Sequence, residues 1–394
     1  MNNSRIDTVN DCSIYSIVNE KEECKMVDTL KFYQYLLKKE MDFFAGVPDS
    51  LLSNLSACVT EKTSKEKHII SANEGNAIAL AAGYHLSNGK IGVAYMQNSG
   101  IGNTINPLLS LTDEKVYSIP VLLIIGWRGE PGTKDEPQHV TQGALTLPLL
   151  ETMNIESVIL EDDFKSQIDY CYDYMKQHHK PIALVVKKGT FTDYQMNIPI
   201  TNYQLTRELA LETILSDLNE NDFVVSTTGK ASREIFELRE KHQQDHANDF
   251  LTVGSMGHTA SIALGVSLGT EKDVYCVDGD GSFLMHMGSF PINASVAKKN
   301  FKYIMINNGA HESVGGQPTI AFDIDIRSIL LGSGFEKVYI ASTVEEIKTY
   351  LKEVKENTLH ALIINSKQGS RPELGRPTTT PIENKLAFME KINE

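Results

Sequence analysis

The chain has 394 residues, too many for one ordinary hydrophobic core and enough for two domains. Apolar residues make up 41% and charged residues 22%, the balance of a globular protein in water, and the formal net charge of −14 argues against a nucleic acid or an anionic membrane surface as partner. The 5 cysteines form no C-x-x-C pair, which argues against a disulfide frame or zinc site and fits a reducing cytoplasm, and the longest apolar run, 119–125, is far too short to span a bilayer.

Residues 1–25 are polar and mixed in charge, with no basic stretch leading into an apolar one, so no secretory signal is expected. They read as a flexible extension, with Met26 as a candidate start of translation. The first patterned helix opens at Met26, with Asp28 or Thr29 as N-cap and Leu30, Tyr33, Leu36 and Leu37 on one face. Strands and helices then alternate. Strands are expected at 43–45, 68–71, 91–96, 121–126 and 182–186, with a turn at 46–50 and an Ala- and Gly-rich helix at 74–86. The pattern breaks around Pro199 and resumes with a helix at 205–218, a strand at 223–226 and a helix at 230–238. Residues 274–310 read as strand (274–277), Gly-Asp-Gly turn (279–281), helix (282 to about 298) and strand (303–306). An amphipathic helix at 344–356 and a strand at 359–365 follow, and a Pro-containing tail runs over the surface to a short terminal helix. No internal sequence repeat is visible. The expected fold class is α/β, with two doubly wound parallel-sheet domains at 26–190 and 205–370, a linker at 191–204 and a tail at 371–394.

The unit at 274–310 carries the chemistry. In such a unit the two strands are parallel and usually adjacent. Asp280 then lies just past the C-terminal end of one strand and Asn308 just past the same end of the other, the edge where open parallel sheets bind ligands. A carboxylate and an amide oxygen meeting there suit Mg²⁺ or Ca²⁺. Gly281 lets backbone approach an anion, and the helix start beyond it offers N–H groups to a phosphate. Gly-Asp-Gly also makes ordinary turns. A dinucleotide fingerprint fails, because it needs glycine where Leu284 stands. In the N-terminal half, Glu74 follows a strand and opens a helix, where it is either functional or a first-turn glutamate favoured by the helix dipole.

Gly-Asp-Gly followed, after residues 282–306, by Asn307-Asn308 resembles the thiamin diphosphate fingerprint, and NEGNAIALAAGY around Glu74 resembles the pyrimidine site of the same enzymes. Further matches are FFAGVPDSLL (43–52), YMQNSGIGNTINPL (95–108), KDEPQHVTQG (134–143), TTGKASREIFELRE (227–240), DFLTVGSMGHTASIALG (249–265), NNGAHESVGGQPT (307–319) and GRPTTTPIENK (375–385). Over about residues 26–394 the chain resembles the phosphonopyruvate decarboxylase family of thiamin diphosphate-dependent 2-oxo acid decarboxylases.

That resemblance implies decarboxylation of 3-phosphonopyruvate to phosphonoacetaldehyde and CO₂, a step of phosphonate biosynthesis. It implies thiamin diphosphate anchored through Mg²⁺ on Asp280, Asn308 and the Ala310 carbonyl, with Glu74 against the pyrimidine N1′. Gly254 would accept from the 4′-amino group and Met256, otherwise a core methionine, would wedge the cofactor into a V. Gly279, Gly281, Ser282, Thr228 and Gly229 would border the diphosphate. It also implies a homo-oligomer, at least a dimer, whose sites combine the two half-sites of different subunits. An anionic 2-oxo acid needs a basic pocket. Arg128, Lys134, Lys230, Arg233, Arg371 and Arg376 are candidates, each also readable as a solvated surface cation. Asn98 and Asn103 are candidate polar contacts or turn formers. His139 and His311 are the candidate acid–base groups, because a proton shuttle at neutral pH wants a group titrating near 7. The rival readings are a sulfopyruvate decarboxylase, transfer of the activated carbon to a second aldehyde, and a non-catalytic subunit of the same fold.

Overall fold

The computed structural model describes residues 26–197 and 201–394. The expectations for residues 1–25, and for Pro199, fall outside the described residues.

The first sheet contains β1 (Phe44–Gly46), β2 (His68–Ile70), β3 (Gly92–Gln97), β4 (Val121–Gly126), β5 (Glu156–Ile159) and β6 (Ile182–Val186). All pairings are parallel and the order is β2-β1-β3-β4-β6-β5. Successive side chains of β4 face opposite ways. Leu122 and Ile124 join one buried cluster, Val121, Leu123 and Ile125 the other. Helices therefore cover both faces, which is why β4 reads as an unbroken apolar run.

The second sheet contains β7 (Phe223–Ser226), β8 (Asp249–Leu251), β9 (Val274–Gly279) and β10 (Phe301–Asn307). A two-residue hairpin, β11 (Ala310–His311) with β12 (Gln317–Pro318), stands apart, and β13 (Lys337–Ala341) and β14 (His360–Asn365) complete the sheet. Its order, β8-β7-β9-β10-β14-β13, follows the same path as the first. One topology is thus used twice without a sequence repeat. In each sheet the connections reverse direction after the first strand. Crevices therefore open at the C-terminal ends of β1 and β3, and of β7 and β9.

Several local expectations change. The Gly-Asp-Gly stretch is not a separate turn, since β9 runs to Gly279 and a helix begins at Asp280. The single helix expected to about residue 298 is two, Asp280–Met285 and Ser289–Val296, because His286 leaves helical geometry (φ −136, ψ 45). The segment after β3, where Asn98 and Asn103 are candidate turn formers, is largely helical. A 3₁₀ turn, Asn98–Gly100, leads into the helix Ile101–Pro107. The terminal helix Pro381–Asn393, closed by a Thr380/Glu383 capping box, does more than run over the surface. Phe388 packs edge-on against Phe223 at 5.4 Å, Asn384 Nδ2 donates to the Asp249 carbonyl at 2.7 Å, and Asn384 Oδ1 accepts from Leu251 N–H at 3.1 Å. The helix thereby covers β8, which would otherwise be an open edge.

Candidate active site

The ends of β1 and β3 and the ends of β7 and β9 line one cavity of about 1090 Å³. Both halves of a single chain contribute. Across the cavity Asn73 Nδ2 donates to the Met285 carbonyl at 3.3 Å.

Glu74 is the first residue of the helix Glu74–Asn88, whose N-cap Asn73 accepts from the Asn76 N–H. The cap turns Glu74 into the cavity wall, where its side chain is buried. Asn103 Nδ2 donates to Glu74 Oε2 at 2.6 Å, so Asn103 orients the carboxylate. Gly100 presses on the same group: a Cβ there would sit 2.4 Å from Glu74 Cγ and 2.5 Å from Oε1.

Opposite lie Asp280 and Asn308. The β9–β10 register pairs Gly279 with Ile306, which brings Asp280, one residue beyond Gly279, and Asn308, two beyond Ile306, to one edge. Asp280 is buried and accepts from Thr319 Oγ1 at 2.5 Å. Burial pushes its carboxyl up to about 6, and no cationic side chain is among the groups that oppose the shift. Asn308 Nδ2 donates to Glu312 Oε2 at 2.8 Å and its Oδ1 accepts from the Ala310 N–H at 3.1 Å. The amide is thus fixed, with one lone pair of Oδ1 left over. Ala310 lines the same wall, and its ladder partner Pro318 has no N–H to give.

Between these groups the wall is stripped of side chains. Gly229 has φ 98, and a Cβ there would meet Ser313 Oγ at 2.5 Å. At Gly281 a Cβ would come within 2.9 Å of His311 Nδ1 and 3.1 Å of Met256 Cε. Ser282 Oγ accepts from the Gly257 N–H at 3.2 Å, which ties the 254–257 turn to the Asp280 helix. Thr228, Gly254, Met256 and Gly279 also line the cavity.

His139 and His311 both reach it, each buried and each with an unpartnered Nδ1. Both titrate below the value expected of them. Burial pushes His311 down to about 4, and burial with the nearby Arg128 charge lowers His139. Both are neutral imidazoles at neutral pH.

The basic candidates divide. Arg128 Nε donates to Asp135 Oδ2 and Nη1 to Ser50 Oγ, both at 2.8 Å, and the guanidinium holds Asp135 down to about 2. Lys230 is bound by Glu312 Oε1 at 2.8 Å, and Arg376 by Glu136 across the two halves. Lys134 and Arg233 line the cavity without an ion-pair partner among the described residues. Arg371 is not in the site. It lies in a separate surface groove, where Glu208 and Glu237 bind it. Asn98 is not in the site either. It is buried beneath it, donating to the Arg128 carbonyl at 2.8 Å and to Thr146 Oγ1 at 2.9 Å.

Sequence reasoning missed the support beneath Asn308. Arg207 donates to both Glu234 oxygens at 2.7 Å and to Glu312 Oε2 at 2.8 Å, so Glu312 joins Arg207, Lys230 and Asn308. Glu312 stands in a quoted motif, but nothing local points it at Arg207.

The chain matches the "Thiamine pyrophosphate enzyme, N-terminal TPP binding domain" over residues 31–148 and the corresponding "C-terminal TPP binding domain" over 227–364. It is 33% identical to a phosphonopyruvate decarboxylase of Streptomyces hygroscopicus, covering 89% of this chain and 90% of that protein. A phosphonopyruvate decarboxylase of Streptomyces viridochromogenes is 34% identical over 86% of this chain and 88% of its own length. A sulfopyruvate decarboxylase of Methanosarcina acetivorans is 27% identical over 96% of this chain and 98% of its own length. The chain belongs to the thiamine pyrophosphate enzyme family.

The cavity of this thiamine pyrophosphate enzyme fits the cofactor and a metal. Asp280 is a buried carboxylate without a cation, the state a divalent ion relieves. Among the described residues no group of three or more His, Cys, Asp or Glu could hold a metal. An ion at this edge would take a mixed oxygen set from Asp280, Asn308 and the Ala310 carbonyl. The glycine-lined wall leaves room for a diphosphate. The unpartnered Gln138 Oε1 and the two histidine nitrogens await polar ligand atoms. Among the described residues no helix is long and apolar enough to cross a membrane.

Proposed function

We propose that the chain decarboxylates 3-phosphonopyruvate to phosphonoacetaldehyde and CO₂, with Mg²⁺ as the anchoring ion. The observation that carries this reading is the meeting of Glu74 from one half with the Asp280–Asn308 edge of the other on one cavity. Identity above 30% to two phosphonopyruvate decarboxylases over most of both chains favours this acid over sulfopyruvate.

When bound, thiamin diphosphate supplies the electron sink for the pair released as CO₂ leaves. The chain supplies the rest. Asp280, Asn308 and the Ala310 carbonyl hold the metal. Gly229 and Gly281 would let backbone approach the diphosphate, and Met256, which lines the same cavity, would pack against the bound cofactor. Glu74, oriented by Asn103, holds a proton at the pyrimidine N1′. His139 and His311, as neutral imidazoles, donate or accept hydrogen bonds at the substrate rather than carry charge. A homo-oligomer of at least two chains is part of the proposal. It is supported by Ile292 and Val296, exposed one turn apart on the same helix, and sedimentation velocity tests it.

The test of function is CO₂ release and aldehyde formation from 3-phosphonopyruvate, sulfopyruvate and pyruvate, with thiamin diphosphate and Mg²⁺. Preference for 3-phosphonopyruvate is expected. A higher kcat/KM for sulfopyruvate would overturn the substrate, and no turnover of any 2-oxo acid would overturn the decarboxylase.

A further inference from the structure

The cavity is rich in cations, but most of them are already neutralised. Arg128 is held by Asp135, Arg207 by Glu234 and Glu312, Lys230 by Glu312, and Arg376 by Glu136. Lys134 and Lys188 are exposed on the rim, where water solvates an ammonium group at no cost. Arg233 is different. It lines the cavity, it is half-buried, and among the described residues it has neither an ion pair nor a hydrogen bond.

Its position explains the solitude. Arg233 stands in the first turns of the helix Lys230–Lys241, three residues after Lys230 and so on the same face. Ser232 beside it is buried and occupied, donating to the Thr227 carbonyl at 2.7 Å. Glu234, next in sequence, has both of its oxygens bound by Arg207, and Glu237, one turn further on the same helix, is bound by Arg371. Burial lowers the Arg233 guanidinium below its usual range, and no carboxylate raises it back. A charge withdrawn from water without a partner is unfavourable unless an anion arrives to match it. The planar fork of a guanidinium fits two oxygens of a tetrahedral phosphonate.

We propose that Arg233 receives the phosphonate group of the substrate and is the residue that selects for a phosphonate-bearing 2-oxo acid. This rests on the decarboxylase reading above. The cofactor's diphosphate has its own provision in the metal edge and the glycine-lined wall. The dianionic head of the substrate needs a cation, and Arg233 is the unpaired guanidinium of the cavity among the described residues.

The test uses the full chain and the variants Arg233→Met and Arg233→Lys. Trp127, the sole tryptophan, lines the cavity and reports binding by its fluorescence. Arg233→Met should raise KM for 3-phosphonopyruvate by about 100-fold or more, with kcat within about threefold and thiamin diphosphate affinity unchanged. Arg233→Lys should recover part of the KM loss. Phosphonoacetate, a phosphonate that cannot be decarboxylated, should bind the cofactor-loaded wild type and not Arg233→Met. An unchanged KM, or a loss of thiamin diphosphate affinity in place of the KM effect, overturns the assignment. The phosphonoacetate arm separates the two claims. If wild type turns over no phosphonopyruvate the decarboxylase reading fails, while Arg233 still stands or falls by whether its replacement abolishes phosphonoacetate binding.

Discussion

Glu312 offers a perturbation whose two effects can be separated. Its side chain is 11% exposed and holds Arg207, Lys230 and Asn308, each at 2.8 Å. In Glu312→Ala, Arg207 keeps both bonds to Glu234, so the group stranded is Lys230, itself partly exposed. Breaking a buried pair costs about 3–5 kcal/mol, and the retained Arg207 pair puts this case at about 3 kcal/mol. For a domain of this size that lowers Tm by about 6–12 °C. The second effect is on the metal. Without Glu312 the Asn308 amide loses the acceptor that keeps its nitrogen turned away from the ion, and removing such a support typically weakens metal binding about 10–100-fold. Glu312→Gln keeps an oxygen for Asn308 but not the charge for Lys230. It should recover most of the Mg²⁺ affinity while remaining less stable. Mg²⁺ titrations at fixed thiamin diphosphate, read by Trp127 fluorescence, and thermal unfolding measure the two effects separately. A Glu312→Ala variant with lowered Tm but Mg²⁺ affinity within about twofold of wild type would refute the reasoning and leave Glu312 a stabilising group only.

Gly100→Ala places a Cβ 2.4–2.5 Å from the Glu74 side chain. It should cost about 1–3 kcal/mol in urea unfolding and, by displacing the carboxylate, about 100-fold in kcat, and full activity would contradict the role given to Glu74. Asp280, raised to about 6 by burial, gives a pH prediction for the cofactor-free protein. Between about pH 6 and the unfolded value near 4 the folded state binds more protons than the unfolded state, so this group makes the fold more stable as pH falls. His68 and His311, both pushed down to about 4, act the opposite way, so the signal is the difference between wild type and Asp280→Asn. Wild type should gain on the order of 2–3 kcal/mol over that variant between pH 7 and pH 4, and a flat difference would contradict the buried, uncompensated carboxylate. Mg²⁺ affinity should fall below about pH 6 for the same reason, since the ion must displace that proton. Phe388→Ala should lower stability by about 3 kcal/mol in the same urea assay, because it unseats the terminal helix from β8. An effect below about 0.5 kcal/mol would mean that the helix is not a structural cover.

The elements legible in the sequence are those buried on both faces. β4 is an unbroken apolar run, and β9 and β10 carry the runs Val274–Val277 and Tyr303–Ile306, because each lies inside a sheet between helices. β5, β8 and β13 were not legible. Each is a short edge strand with partly exposed residues, so neither an apolar run nor clean alternation marks it. The Asp280–Asn308 edge could be read because both residues end neighbouring parallel strands, and that geometry follows from local chain order. Contacts that depend on distant elements could not be read. Thr319 on Asp280, Arg207 on Glu312 and Arg376 on Glu136 join segments with no shared period or motif. Residue type suggested His139 and His311 as titrating near neutrality, but their burial, which a sequence does not display, sets them lower. Only its charge marks Arg371 in the sequence, and three glutamates, Glu208, Glu237 and Glu373, claim it.

The central claim is that Glu74 and the Asp280–Asn308 edge serve one bound cofactor. Exchange of the thiazolium C2 proton in D₂O, followed by NMR with Mg²⁺ present, addresses it directly in wild type and in Glu74→Gln. The account predicts exchange slowed by about 100-fold or more in Glu74→Gln, with thiamin diphosphate affinity within about threefold of wild type. Exchange at the wild-type rate in that variant would contradict it.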